Sequence, residues 1–279
     1  MNAAIRLLPN WTRFLADARH YQIGALGILL ALNLAWLDFG ADIGPCAVLV
    51  ASCILTQAVA CRIVGIPIEL RSALITSFSL SLLLRADALW LYGLAGMIAM
   101  GSKFLIRVDN KHVFNPATIA IVALVFGTGR AWVTPGQWGA ELWFAGLLGL
   151  LGILVLQRAR RADITLFFFA AHGGLLLARA FWLGDPLAIP LHQLQSGSLL
   201  LFAFFMISDP KTIPDSRTGR LIFAVAVAAL AHYFAFFEQI RPALYLALAL
   251  LSLAVWPIDR LLPAPRHQWA PALNPGGHR

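Results

Sequence analysis

Between Arg71 and Arg85 lies Ser72-Ala73-Leu74-Ile75-Thr76-Ser77-Phe78-Ser79-Leu80-Ser81-Leu82-Leu83-Leu84. This apolar run has thirteen residues, fewer than the roughly 20 that cross a bilayer core as a regular helix. Its charged flanks leave no room to lengthen it. A second short run, 197–207, has eleven residues between His192-Gln193-Leu194-Gln195 and Asp209-Pro210. These are the third and eighth of ten apolar runs. The others are 23–37, 45–61, 88–100, 114–126, 142–156, 164–183, 221–237 and 243–256. Each short run is therefore the third of five in its half of the chain. Their openings echo each other, Ser72-Ala73-Leu74-Ile75-Thr76 against Ser196-Gly197-Ser198-Leu199-Leu200. Five passes per half make the second half run opposite to the first. Short segments at matching places of an inverted repeat point to a binding site at mid-membrane. Two tilted helices with polar flanks give the same pattern.

Composition supports the membrane reading. Of 279 residues 60% are hydrophobic and 12% charged, with a mean hydropathy of +0.78. Soluble domains carry about 25% charged residues, so a soluble enzyme and a disordered chain are both excluded. In a bilayer the runs must be helices, because every backbone N–H and C=O has to be satisfied internally. Sustained alternation is absent, which excludes a barrel. The net charge of +8 does not mark a nucleic-acid binder, because the basic residues sit in the gaps between runs.

Counted gap by gap, seventeen of the 21 Lys and Arg fall on one side and only Arg85, Arg130, Arg179 and Arg241 on the other. The positive-inside rule then puts both termini in the cytoplasm. The expected organisation is a cytoplasmic segment 1–22, five helices in 23–130, five in 131–258 and a cytoplasmic tail 259–279. Trp36, Trp90, Trp143, Trp182 and Trp256 near run ends read as an interfacial belt. Cys46, Cys53 and Cys61 share one run without CxxC spacing and read as packed thiols. No apolar core precedes Ile23, so no cleaved signal peptide is visible.

Two polar stretches interrupt the apolar pattern on the predicted cytoplasmic side. One runs from Gly101-Ser102-Lys103 to Asn110-Lys111-His112-Val113-Phe114-Asn115-Pro116-Ala117-Thr118. Asn115 followed by Pro116 is a helix start. The other is Met206-Ile207-Ser208-Asp209-Pro210-Lys211-Thr212, continuing to Gly219-Arg220. Both read either as capped turns or as one shared site, where helix N-termini meet a polar cofactor or an anion. His172 and His232 lie within runs and could ligate a haem, but one possible pair without diagnostic spacing reads first as packed neutral histidines bonded to a carbonyl. Walker A, GxGxxG, HExxH and GxSxG motifs are all missing.

These stretches also carry a resemblance. Phe114-Asn115-Pro116-Ala117, then Ser196-Gly197-Ser198 leading to Phe204-Phe205-Met206-Ile207-Ser208-Asp209-Pro210-Lys211-Thr212, then Gly219-Arg220-Leu221-Ile222-Phe223, occur in order. With Ser72-Ala73-Leu74-Ile75-Thr76, and over about residues 20 to 265, the chain resembles a family of electron-transport proteins. They are the RnfD component of the Rnf electron-transport complex and the NqrB component of sodium-pumping NADH:quinone oxidoreductase. The resemblance implies an all-α polytopic fold of about ten transmembrane helices in two inverted five-helix halves, similar in architecture to urea transporters. It implies electron passage through flavins, and other membrane, flavin or iron–sulfur electron-transfer subunits as partners, beside membrane lipid. The setting would be a bacterial-type inner membrane.

The family carries FMN on a threonine in a Ser-Gly-Ala-Thr-like motif. The connection 127–141 holds Thr128 and Thr134 without that motif, so covalent FMN is not expected. A non-covalent flavin (riboflavin or FMN) or a quinone remains. Its expected contacts are Asn115, Thr118, Asp209 and Thr212, with Ser72, Ser196, Gly197 and Ser198 on the short helices. Phe114, Phe204 and Phe205 would pack the ring faces. The alternatives are a small-solute channel or transporter and a ligand-free assembly component.

Overall fold

A computed structural model describes residues 17–37, 41–109, 111–134 and 142–267. Most of the expected segments 1–22 and 259–279, and part of the 127–141 connection, lie outside these residues.

The apolar runs fold as helices: α1 (Ala18–Leu32), α2 (Ile43–Val64), α3 (Leu70–Leu83), α4 (Leu89–Leu105) and α5 (Pro116–Thr128). They are followed by α6 (Leu142–Ala159), α7 (Ala162–Leu183), α8 (Ala188–Leu194), α9 (Gly197–Leu201), α10 (Arg217–Phe236), α11 (Ala243–Ser252) and α12 (Val255–Leu261). α1 continues into a π turn, Asn33–Leu37, and α9 into another, Phe202–Met206. α2, α7 and α10 are each long and apolar enough to cross a membrane, and the bent pairs α8–α9 and α11–α12 pass the same test together. This is a multi-pass helical membrane protein.

Caps fix where the helices begin. The side chains of Asp17, Glu69, Asn115, Ser196 and Ser216 each accept a backbone N–H of the turn they precede. Gly129 and Gly184 end α5 and α7 with φ of 64° and 75°, a left-handed conformation that glycine adopts without a Cβ clash.

Four short strands qualify the all-helical expectation. β1 (Leu84–Ala86) pairs antiparallel with β4 (Ala131–Val133), Arg85 opposite Trp132, and so ties the far ends of α3 and α5. β2 (Arg107–Val108) and β3 (Lys111–His112) form a hairpin between α4 and α5.

The packing order repeats along the chain. α1 packs on α3, α2 on α4, and α4 on α5; later, α6 packs on α9, α7 on α10, and α10 on α11. α1 meets α6, and α5 meets α11, across the middle. Close contact at the α2–α4 crossing depends on small residues: Ser52 Oγ donates to the Gly93 carbonyl at 2.6 Å, and Gly96 lies against Ser52. Leu26, Leu49, Leu80, Phe144, Phe168, Phe202 and Phe223 are fully buried, whereas Trp36 and Trp182 are exposed, as a belt requires.

α3, α5, and α9 with its π turn are each too short for a full crossing on their own. At 1.5 Å per residue α3 and α5 span about 20 Å each, and α9 with its π turn still less, against a hydrocarbon core of about 30 Å. All three reach the same end of the bundle.

Candidate functional site

At that end a cavity of about 290 Å³ opens where α3 and α5 begin and the π turn ends. α3 contributes Ser72, Thr76 and Ser79, which share one helical face. α5 contributes its start. Asn115 Oδ1 accepts from Thr118 N at 3.1 Å and from Thr118 Oγ1 at 3.3 Å. Its amide Nδ2 donates to Asp209 Oδ2 at 3.3 Å, so the two polar turns of the sequence meet.

Asp209 is held from its own turn as well, since its Oδ1 accepts from Lys211 N at 3.0 Å. Burial pushes its carboxyl above the ordinary carboxylate range, against the opposing effect of that bond and of the Lys211 and Lys103 charges. The π turn brings Phe205 and Met206 to the cavity wall. Two side chains brace it: Thr165 Oγ1 donates to the Ala203 carbonyl at 2.7 Å and Ser208 Oγ to the Phe204 carbonyl at 2.6 Å. π turns inside helices recur at functional sites.

Several lining residues are not assigned to the site by the sequence. Lys103, in the last turn of α4, donates from Nζ to Ser72 Oγ at 2.9 Å and to Gln57 Oε1 at 3.1 Å. Gln57 is buried in the middle of α2, and a glutamine in so apolar a run is the available signal. His112 also lines the cavity; burial pushes its pKa down to about 4, so it is neutral, and its buried Nδ1 has no partner among the described residues.

Other expected site residues lie elsewhere. Ser196 caps α9, and Ser198 Oγ is 2.9 Å from Tyr245 Oη, with Gly197 buried beside them; none of the three lines the cavity. Phe204 packs on Phe169 and against Gly152, while Phe114 is half-buried outside the wall. Thr118 sits behind the wall, Oγ1 3.9 Å from Met206 Sδ, and Thr212 Oγ1 donates to the Asp209 carbonyl. The cause is geometric: Ser196 to Ser198 open their helix at its far end, so the repeated opening does not bring them to Ser72. His172 stacks on Phe168 and His232 lies tilted against Phe236, and each has a buried Nδ1 without a partner among the described residues, instead of the expected carbonyl bond.

Ion pairs clip this end of the bundle. Asp17 and Glu69, the caps of α1 and α3, are bridged by Arg19 and Arg71 at 2.6–3.2 Å. Arg220 of α10 pairs with Asp163 of α7 at 2.6 Å. A second cavity, about 350 Å³, lies between the β2–β3 hairpin and α12; Trp256 and Asp259 line it, and His112 borders both cavities.

A bundle of apolar helices with a polar, partly basic chamber at one end defines a multi-pass helical membrane protein. The chain belongs to the NQR2, RnfD, RnfE family, whose profile matches residues 128–267. It is 29% identical to the D-type subunit of the ion-translocating oxidoreductase complex of Stutzerimonas stutzeri, over 76% of this chain and 80% of that one. It is 35% identical to the proteins of the same name from Klebsiella pneumoniae (strain 342) and Escherichia coli (Crooks). Those two matches cover 44% and 47% of this chain but only 34% and 35% of the relatives.

Proposed function

We propose that the chain is the membrane subunit of an Rnf/Nqr-like electron-transport assembly, and that the α3–α5 cavity holds a non-covalent flavin or quinone ring. The observation that carries this reading is the cavity itself. Its volume lies near the lower end of the roughly 300–1,000 Å³ usual for ligand sites, enough for a ring and its substituents. Its chemistry fits such a ring. Lys103 Nζ has a proton beyond the two it gives to Ser72 and Gln57, the orphaned His112 Nδ1 can take a donor, and Phe205 offers an apolar face.

A bound flavin or quinone supplies the electron chemistry, and the protein's share is position and electrostatics. Lys103 stabilises negative charge on the ring's oxygen edge. Asn115 and Asp209 hold the α5 start and the turn after the π segment at a fixed spacing. The apolar π turn keeps water off one ring face.

The same reading takes the ten segments as two inverted five-helix halves, 23–130 and 131–258, in a bacterial-type inner membrane with both termini cytoplasmic. The repeated packing order supports it, and so does the position of every cavity-lining turn on the side richer in Lys and Arg. Other subunits of the assembly would deliver and remove electrons.

An absorption spectrum of the purified protein, followed by acid extraction and identification of released chromophores, tests the proposal. A released flavin or quinone supports it, and a colourless protein that takes up neither overturns it. A second reading, a small-solute path, is favoured by the hydroxyl face Ser72-Thr76-Ser79; solute flux into proteoliposomes, lost in Thr76→Val, would select it.

A further inference from the structure

We infer that the turn between α6 and α7 is a headgroup site for an anionic glycerophospholipid, with its phosphodiester held by Arg158, Arg160 and Arg161 and its acyl chains laid along α6. The turn places three arginines within four residues, and none of them forms an ion pair among the described residues. The carboxylates whose charges reach Arg161 are Asp163 and Asp215. Both are already paired, Asp163 with Arg220 at 2.6 Å and Asp215 with Lys111 at 3.2 Å. Arg158 lies over the Tyr21 ring at 4.6 Å, a contact that fixes its position and leaves its charge uncompensated.

Backbone geometry singles out the same turn. Arg160 N donates to the Gln157 carbonyl at 3.3 Å and Arg161 N to the Leu156 carbonyl at 3.2 Å. These bonds close α6 with Arg160 in the left-handed region, at φ 53°. Glycine takes that place at the ends of α2, α5 and α7. An arginine there meets the Cβ clash that glycine avoids, and strain of this kind collects at ligand contacts. Arg161 is half-buried, its Nη1 donates to the Arg160 carbonyl at 3.2 Å, and its buried Nε has no partner among the described residues. Burial first, and the Arg220 charge second, push its guanidinium below the ordinary arginine pKa, against the pull of Asp163 and Asp215. An anion against this guanidinium relieves both effects.

The surroundings of the turn select a lipid over a soluble anion or an acidic protein. Leu150, Ile153 and Leu154 are exposed at i, i+3 and i+4, and Gln157 and Arg158 continue that face to the turn. Leu166, one turn into α7, is exposed as well. α6 packs on α1 and α9, whereas α7 packs on α10, so the two helices part beyond the turn that joins them. An aliphatic stripe that ends in clustered cations matches both parts of an anionic lipid, and basic sites between spans hold such headgroups.

Native mass spectrometry of the full chain in detergent, titrated with dioleoyl phosphatidylglycerol and with dioleoyl phosphatidylcholine, tests the site. Phosphatidylglycerol is expected to bind at least about tenfold tighter. Arg161→Gln should remove that preference. Arg160→Gly should weaken it while keeping or raising the denaturation midpoint, because glycine suits the left-handed position; this variant stays informative if Arg161→Gln folds poorly. Arg62→Gln, at a lone exposed arginine near the end of α2, should leave the preference intact. Equal binding of the two lipids overturns the site, and so does a preference that survives both Arg161→Gln and Arg160→Gly. An equal loss in Arg62→Gln shows a general effect of charge and overturns it too. Loss of co-purifying subunits in Arg160→Gly, with the lipid preference intact, gives the turn to a protein partner instead.

Discussion

α3 reaches the cavity as an unbroken helix whose polarity comes from side chains, Ser72, Thr76 and Ser79. The segment 197–206 reaches it as one short α-turn and a π turn rich in phenylalanine, and the polar contacts of the π turn are backbone carbonyls held by Thr165 and Ser208. The two occupy matching places in the ten-run pattern and converge on one chamber. A regular helix satisfies its own backbone, so it can spend hydroxyls on the cavity. A π turn must borrow hydroxyls from elsewhere, and the residue types of the two segments follow from that difference.

The clips at the two helix pairs provide the strongest way to break this comparison. Arg220→Met strands Asp163 beside a buried surface and should cost about 3–5 kcal/mol, read as a large fall in the denaturation midpoint in detergent. Arg71→Met breaks a pair with Glu69 in which both side chains are one-third exposed and leaves Asp17 paired with Arg19, so it should cost no more than about 1 kcal/mol. Equal losses would mean that the two sides are clipped alike.

A smaller effect is expected at the π turn itself. A Cβ at Gly152 would run into the Phe204 ring, so Gly152→Ala should destabilise by about 1–3 kcal/mol, read from the same denaturation midpoint. Gly174, with open space around its Cβ position, is the control: Gly174→Ala should be neutral or slightly stabilising.

The borrowed hydroxyl sharpens the comparison further. Thr165→Val should cost about 0.6–1.7 kcal/mol, the range of interhelical hydrogen bonds in membranes. Ser77→Ala removes a hydroxyl bonded to Leu74 O of its own helix and should cost less. The reverse order would show that α3, not the π turn, depends on its hydroxyls.

The pH response should be the smallest. Burial raises the Asp17 carboxyl, but the bonds from Arg19 and the Arg19 and Arg71 charges outweigh it, and the Arg71 bond holds Glu69 below its ordinary value. Both folded pKa values are depressed, so the stability they contribute is complete above the unfolded values of 3.8 and 4.5 and is lost as pH falls through the lower folded ones. Hydrogen exchange should therefore quicken at the starts of α1 and α3 below about pH 4 and leave the π turn unaffected.

Helices were legible in the sequence because a bilayer permits no other reading of long apolar runs. Asn115-Pro116 and Asp209-Pro210 were legible as caps for the same local reason, and their placement on one face followed from counting charges. The Asn115–Asp209 contact, the π turn and the Lys103–Gln57–Ser72 group were not. Each depends on which helices are neighbours, and periodicity within one run does not contain that. Ser196 to Ser198 show the cost of reading a repeat by composition alone, since a similar opening sits at the opposite end of its helix.

The π turn has one further consequence. With Ile207 N bonded to Phe202 O, the turn holds one residue more than an α-helix would. One residue is about 100° of rotation. Deleting any residue of 202–206 would heal the helix and swing everything after it by that angle, carrying Asp209 away from Asn115. The extra residue acts as an indexing device: it decides which way the next turn faces.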